Sequence, residues 1–565
     1  MLAELENDRI ILHTDFRDSD LAKAVPGTTF RQGRWSLPVS WANCLCLRGV
    51  FAERLEIGPA LEKWAQAEVD TRIQPALAAR ERAMDPGLDA PGDPRLYPYQ
   101  RTGVEFMRAA GSAIIGDDMG AGKTFMSLAA AESMDTWPVL IVCPNTLKTN
   151  WREEIEKWYP ERTVQVVDGG VVGRRKQLAT PADYYIVNWD ALRFHSKLSG
   201  YGSMALTAKE KTPGELNRPW GMVICDEAHR AKDPKAKQTR ALWAIGESAR
   251  HRFALTGTPA PENPANFWTL LRFVSPDEWP AKSKFIDRYC ITAWNGWGGI
   301  DVIGIRPELR DEYNKVVQPR FLRRLKAMIL PHLPEKIETT RFVEMTAAQK
   351  KSYKQMVKDQ IAELEGGTLV QFDGLSIHTR LSQFASANMM MDEAGQVHLT
   401  DPSCKVDELM LMLEELGDEP VVVFAQSAQL IQLAERRLAK EEISHGTIAG
   451  YVDGETRDWA KRAFMDGRIR VLLLTYGAGA EGLTLTRAKT MVMMQRAYSF
   501  IKWKQALDRI HRPGAEIHDS LQIISLIALG TVEEKIEAKV AGKEAMMEQV
   551  IGDREELLRW MKSVA

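Results

Sequence analysis

At 565 residues the chain has room for about three to four domains of ordinary size. A hydrophobic content of 45% supports large cores and excludes disorder as the default. Lys and Arg total 74 against 76 Asp and Glu, so a globally cationic protein is excluded and any nucleic-acid binding must come from local patches.

Residues 1–92 are expected to form an accessory module and its linker. Val39, Trp41, Leu45, Leu47 and Val50 supply short apolar runs. From Leu61, the residues Leu61, Trp64, Ala65, Val69 and Ile73 recur at helical spacing, and Pro75 is expected to interrupt them. A DNA-binding role would need Arg31, Arg34 and Trp35 on one face. A packed helper domain with an ordinary core Trp accounts for them equally. The module holds 11 Lys and Arg against 14 Asp and Glu, a balance of −3. DPGLDAPGDP at 85–94 reads as a linker because Pro and Gly dominate it.

Between 93 and 275, apolar strand candidates at 113–115, 139–143, 184–187, 222–225 and 252–255 alternate with helical stretches. That is the pattern of a mostly parallel sheet with helices on both faces. DDMGAGKT (117–124) lies between the run Ala113, Ile114, Ile115 and the Ala-rich TFMSLAAAESM. A Gly-rich turn between a strand and a helix is an anion site. Asp117, Asp118, Met119, Gly120, Ala121 and Gly122 would form the nucleotide loop, Lys123 would reach the β/γ-phosphates, and Thr124 would ligate Mg2+. Asp117 stands where the strict motif has its first Gly.

Asp226 and Glu227, in DEAH, directly follow the strand MVIC. The C-terminal edge of a parallel sheet is where ligands sit in open α/β folds. Asp226 would hold Mg2+ and Glu227 would polarise an attacking water. In ALTGTPAPEN (254–263), Thr256 and Thr258 can pass hydrogen-bond changes between the acidic site and a neighbouring lobe.

Residues 276–400 read as helical insertions. Tyr353, Met356, Val357, Ile361 and Leu364 mark one amphipathic helix, ended by Gly366-Gly367. In RFLRRLK, a helix would put Arg320, Arg323 and Arg324 on one face with Lys326 nearly opposite Arg324. That face is either functional or simply solvated.

Strand–helix alternation returns over 401–545, with strands expected at 421–425, 471–475 and 490–494. GAGAEGLTLTRA (477–488) allows close backbone approach, and QALDRIHRPG (505–514) carries Arg509 and Arg512 three residues apart, on one helical face suited to a phosphate. Residues 546–565 read as a short helical tail.

Six cysteines without a C-x-x-C show no zinc framework and no disulfide scaffold, which fits a reducing cytoplasm. No apolar run approaches the roughly 18 residues of a membrane span. The N-terminus lacks the basic start and apolar core of a secretory signal.

From about residue 94 to 545 the sequence resembles the Swi/Snf-type ATPases of helicase superfamily 2. The resemblance rests on LYPYQRTGVEF (96–106), DDMGAGKT, WPVLIVCPNTLKTNWREEIEKW (137–158), DEAHRAKD (226–233) and LTGTP (255–259), followed by FLRRLK with LPEK (321–336). YVDGETR (451–457), EGLTLT (481–486), QALDRIHRPG and GTVEEKI (530–536) continue it in the family's order. The sequence departs from the family's usual residues at Asp118, Ala121, Ala515 and the YSF of 498–500. The compact layout is similar to that of HepA-related annealing helicases and of bacterial and phage relatives. FRQGRWSLPVSW is similar to the small substrate-recognition module of that branch.

The resemblance implies an α/β fold of two RecA-like lobes and a motor that hydrolyses ATP while tracking along double-stranded or forked DNA. It implies that Gln100 reads adenine, that Lys123 and Thr124 bind phosphate and Mg2+, and that Asp226 and Glu227 serve metal and water. Arg509 and Arg512 would reach the γ-phosphate from the second lobe. Such a motor is expected in the cytoplasm of a bacterial or phage-infected cell, or in a nucleus if the host is eukaryotic. A strand-separating helicase on DNA or RNA and a non-hydrolysing DNA-binding scaffold are the alternatives. Every motor motif follows the linker, so a chain starting near Asp93 is expected to carry a complete ATP site.

Overall fold

The computed structural model describes residues 1–14, 18–25, 27–31, 33–259, 264–294, 299–359, 361–364, 367–370, 374–479, 483–497 and 499–534. The expected tail at 546–565, part of GTVEEKI, part of GAGAEGLTLTRA and the end of ALTGTPAPEN lie outside the described residues. Two compact units divide the described chain between Ile329 and Leu330.

The first unit opens with a five-stranded sheet in the order Thr29–Arg31, Arg34–Pro38, Arg9–His13, Leu2–Glu6, Glu56–Ile57. Alternation puts Ala3, Ile10, Leu12 and Leu37 on its inner face, where Cys46, Leu47, Phe51 and Leu61 from two helices complete a small core. The first of these helices, Trp41–Phe51, starts where Ser40 caps it, its side chain accepting from the Asn43 N–H.

Pro75 does not break the helical run. Helix Pro59–Glu68 passes through a π turn, Val69–Ile73, into helix Gln74–Met84. Pro75 then falls in the first turn of the new helix, where its missing N–H costs least. Ala76, Ala79 and Ala83 of this second helix are buried in the core of the sheet that follows. The stretch expected to belong wholly to the accessory module therefore ends inside the next domain.

That sheet has seven parallel strands in the order Phe321–Leu322, Ala113–Ile115, Ala249–Leu255, Trp220–Cys225, Val139–Cys143, Tyr184–Asn188, Val164–Val166. Its inner strands are apolar on both faces because helices cover both, the condition for continuous runs such as VLIVC. All five strands expected from the sequence are present. The two outer ones, Val164–Val166 and Phe321–Leu322, are too short to give a periodic signal.

Between 276 and 400, helices Lys282–Tyr289, Arg310–Val317, Ala347–Asp359 and Gly374–Phe384 stand beside three two-stranded pairings. One corrects the expected helix through Leu364. Helix Ala347–Asp359 stops, and Ile361–Leu364 pairs antiparallel with Gly367–Val370. Ile361 and Leu364 match helical spacing by coincidence of a short run; Gly366 lies outside the described residues.

The second unit is built on six parallel strands in the order Glu335–Val343, Ser520–Ala528, Thr490–Met493, Val421–Ala425, Val471–Thr475, His445–Ile448. Glu335–Val343 belongs to this sheet although it lies in the stretch expected to link the lobes. Buried Lys405 and Glu533 pair at 2.7 Å, tying the start of GTVEEKI to this unit. The two sheets with their helices are two RecA-like lobes.

Candidate nucleotide site

Strand Ala113–Ile115 runs directly into the loop, and helix Lys123–Met134 leaves it. Gly120 and Gly122 have φ of +82° and +76°, which only glycine adopts without strain. A Cβ on Gly122 would also run into the Gln100 amide. Lys123 Nζ donates to the carbonyls of Asp117 (2.6 Å) and Asp118 (3.0 Å), so its ammonium is folded onto the loop. Gln100 is buried; its Nε2 donates to Ala121 O at 3.3 Å while its Oε1 accepts the Tyr97 N–H at 3.0 Å. Tyr99 Oη donates to the same Ala121 carbonyl at 3.2 Å. The expected adenine reader thus touches the loop itself.

Asp117 takes a different part from the one its place in the motif suggests. Its carboxylate is fully buried and ion-paired with the equally buried Arg324, with Nη2 at 2.5 Å from Oδ2. Only its backbone is turned to the loop's business, as an acceptor for Lys123. The RFLRRLK stretch is correspondingly neither a basic helix nor a solvated face. It is a short 3-10 turn, the edge strand Phe321–Leu322 and an irregular stretch, with Arg323, Arg324 and Lys326 buried. Arg320 and Arg72 share the Glu278 carboxylate at 3.3 and 2.9 Å. The sequence signal was there, in a basic run beside apolar residues, but Asp117, the partner of Arg324, lies 207 positions away.

Across the sheet edge, Asp226 Oδ2 accepts from Trp151 Nε1 at 3.0 Å, and Oδ1 accepts the Glu227 N–H at 2.9 Å. Trp189 Nε1 donates to the Asp226 carbonyl at 3.0 Å. Burial, with the charge of Glu227 second, pushes the Asp226 carboxyl up to about 6. Neither indole was singled out from the sequence, although Trp151 lies in the matching block 137–158.

Glu227 sits at φ +49°, a left-handed conformation that a non-glycine residue holds only when its surroundings impose it. Its Oε2 is 3.3 Å from His229 Nδ1. The same nitrogen lies 3.3 Å from Thr256 Oγ1 and 3.4 Å from Thr258 Oγ1, and the Thr258 N–H donates to Thr256 Oγ1 at 3.1 Å. Gly257 lets this turn close on the phosphate loop, since a Cβ there would lie 2.7 Å from Met119 Cγ. The acidic pair, the threonine turn and the phosphate loop are therefore one contiguous cluster.

In the second unit, the expected common helical face of Arg509 and Arg512 is replaced by a turn. Helix Phe500–Leu507 ends before them. Arg509 Nη1 donates to Leu483 O at 3.1 Å, and the Leu485 N–H donates back to Arg509 O at 2.9 Å. Arg512 donates to Asp508 O (2.7 Å) and Thr484 Oγ1 (3.3 Å). Both arginines are laced to 483–485, within EGLTLT.

In the accessory sheet, Arg31 pairs with Arg34 and Phe30 with Trp35 across a hairpin. Opposed residues share a face and neighbours alternate, so the two arginines lie on the face opposite Trp35. The three are not grouped as DNA binding would need.

A Gly-rich loop at a helix start, joined to an acidic pair at the edge of a parallel sheet, is the arrangement expected of a phosphate-loop nucleotide site. The SNF2-related domain profile matches residues 99–390, more than half the chain, and the helicase conserved C-terminal domain matches 404–514. The chain belongs to the SNF2-related family of helicase-like ATPase domains. It is similar to the putative ATP-dependent helicase/translocase YwqA of Bacillus subtilis, at 27% identity over 81% of this chain and 49% of that protein. It is similar at 26% identity to the DNA annealing helicase and endonuclease ZRANB3 of Bos taurus, over 82% of this chain and 41% of that protein. Among solved structures, the Sulfolobus solfataricus SWI2/SNF2 ATPase core in complex with dsDNA matches 84% of this chain and 96% of its own at 23% identity, with a TM-score of 0.38. The chain spans about half the length of the curated relatives it matches.

Proposed function

We propose that the chain is an ATP-dependent translocase on double-stranded DNA, coupling hydrolysis to remodelling or annealing of replication and repair intermediates such as forks. The observation that carries this reading is the single cluster made by the phosphate loop, Asp226-Glu227 and the Thr256–Thr258 turn. Membership of a family with relatives named as a translocase and an annealing helicase supports the choice of DNA as the track.

In this reading Lys123 exchanges its two carbonyl partners for the β/γ-phosphates, and the loop N–H groups receive the remaining charge. Thr124 and Asp226 would hold Mg2+; a hydroxyl and a carboxylate are the hard oxygen donors it takes. A cation would also relieve the repulsion that Asp226 meets from Glu227. Bound there, Mg2+ neutralises phosphate charge. Glu227 accepts the proton of the attacking water, and His229 orients its carboxylate while reporting to Thr256 and Thr258. Arg509 and Arg512 act on the γ-phosphate from the second lobe. Six free cysteines suit a reducing cytoplasm or nucleus, and none of these roles draws on zinc.

ATP hydrolysis measured without nucleic acid, with RNA, with single-stranded DNA, with duplex and with forked DNA tests the proposal. Stimulation by duplex and fork is expected. Equal stimulation by RNA, or efficient displacement of a fully paired strand, would favour a strand-separating helicase. No hydrolysis under any condition would favour a scaffold.

A further inference from the structure

Residues 321–326 run alongside the first half of the phosphate loop and are bonded to it in both directions. Phe321 and Leu322 pair with Ile114 and Ile115. The Gly116 N–H donates to Leu322 O at 2.7 Å and the Asp118 N–H to Arg324 O at 3.0 Å. In return, the Arg324 N–H donates to Asp117 Oδ1 at 2.9 Å and the Lys326 N–H to Asp118 Oδ2 at 3.2 Å. Arg324 Nε lies 3.2 Å from both Asp117 oxygens, and its Nη1 donates to Tyr99 O and Thr102 Oγ1, on the helix that carries Gln100. The approach leaves no spare room. A Cβ on Gly116 would lie 2.7 Å from the Phe321 ring, and one on Gly103 would lie 2.8 Å from Arg324 Nη2.

We infer that Arg324 is the positioning residue of the phosphate loop. The two residues it grips, Asp117 by side chain and Asp118 by backbone, are the two whose carbonyls hold Lys123. A purely structural role would not favour an ion pair at this depth. Both partners are fully buried, so both give up their hydration, and a well-packed apolar pair of like volume serves stability as well or better. What apolar side chains cannot supply is direction. A planar guanidinium bonded through three nitrogens to one carboxylate, one carbonyl and one hydroxyl fixes the orientation of the loop relative to helix Pro98–Ala110. The loop's N–H groups and Lys123 then meet the phosphates in a set geometry.

The test uses the full chain and rests on the hydrolase reading above only for its turnover arm. Arg324→Met or Asp117→Leu alone leaves one buried charge unpaired and is expected to lower the melting temperature. The double variant D117L/R324M removes both charges and is expected to recover the melting temperature but not function. Its ATPase kcat/KM should stay about 100-fold below the parent, with KM raised, because phosphate misplacement on the ångström scale costs that much. Its affinity for a fluorescent ADP analogue should fall in parallel. Arg324→Lys keeps charge without the fork and should fold with intermediate kcat/KM. A double variant with parental kcat/KM and ADP affinity, or R324K indistinguishable from the parent should the double variant fail to fold, overturns the inference. If the parent itself hydrolyses no ATP, the hydrolase reading fails, and the ADP-analogue affinities still decide the role of Arg324.

Discussion

Trp151 donates its indole N–H to Asp226 Oδ2 at 3.0 Å, so a buried aromatic side chain from one helix sets the direction of the carboxylate expected to face the metal. A hydrogen bond to a charged group contributes about 1.5–3 kcal/mol, enough to bias both orientation and ionisation. Trp151→Phe keeps most of the volume and removes only the donor. It should raise the Mg2+ concentration needed to bind a fluorescent ATP analogue by about tenfold, the equivalent of one such bond. An unchanged Mg2+ requirement in a folded variant would mean that the indole only fills space.

Glu227→Gln should bind ATP and fail to turn it over. The amide preserves shape but does not take a proton from water. Lys123→Ala should instead lose affinity for the nucleotide, since the charge that meets the phosphates is gone. Equilibrium binding and steady-state hydrolysis, run side by side, separate the two. Hydrolysis by the Gln variant near the parental rate would remove Glu227 from its assigned role.

Stimulation by duplex DNA should weaken steeply with salt. Each phosphate contact releases condensed counterions, so the logarithm of affinity falls in proportion to the logarithm of salt concentration. Titrations at several salt concentrations give the slope and hence the number of contacts. A flat salt response would exclude a phosphate-tracking surface.

The parts of this molecule that were legible in the sequence share one property: their signal is local. VLIVC and VVVFA announce buried parallel strands because both faces need apolar residues, and the phosphate loop and DEAH each declare themselves within eight residues. Much of what was not legible depends on partners outside the local run, or on which of two periodicities the run adopts. Arg324 looks like surface charge until Asp117, 207 positions earlier, is placed beside it. Arg509 and Arg512 fit a helical face on spacing alone, yet the helix stops at Leu507 and their side chains turn to Leu483 and Thr484. Arg31 and Trp35 read as neighbours in a basic-aromatic cluster, but strand alternation sends them to opposite faces.

Arg512→Ala should cut turnover by about 10³-fold or more if it serves as an arginine finger. ADP affinity should barely change, because ADP has no γ-phosphate. Arg512 donates to Asp508 O and to Thr484 Oγ1, a carbonyl and a hydroxyl, and the charged oxygens of a phosphate are stronger acceptors for the same guanidinium N–H groups. Equal loss of ADP affinity, or a large drop in melting temperature, would make its role structural.

The N-terminal boundary of the motor should lie near Gln74, not near Asp93. Ala76, Ala79 and Ala83 sit in the core of the first lobe, and Arg80 Nε donates to Phe321 O at 3.1 Å, on the strand that leads into Arg324. Removing residues 1–92 takes away three buried methyl groups, worth about 2–3 kcal/mol together, and a buried hydrogen bond. It also strips Arg72 from Glu278, a loss that a chain starting at Gln74 shares, while Arg320 stays on that carboxylate. A chain of residues 93–565 should therefore melt below the full chain and bind nucleotide more weakly. A chain of residues 74–565 keeps the alanine helix and Arg80, and should retain ATPase on plain duplex. It loses the five-stranded sheet, whose helix Trp41–Phe51 packs on the insertion through Trp41 Nε1 to Lys315 O at 3.4 Å and beside Glu312. If that sheet selects DNA structure, 74–565 should also lose any preference for a fork over plain duplex. Thermal melting, ADP-analogue binding and ATPase with both DNAs, measured on all three chains, read each point separately. Parental melting and affinity for 93–565 would refute the packing argument, and undiminished fork preference in 74–565 would reduce the sheet to a structural cap.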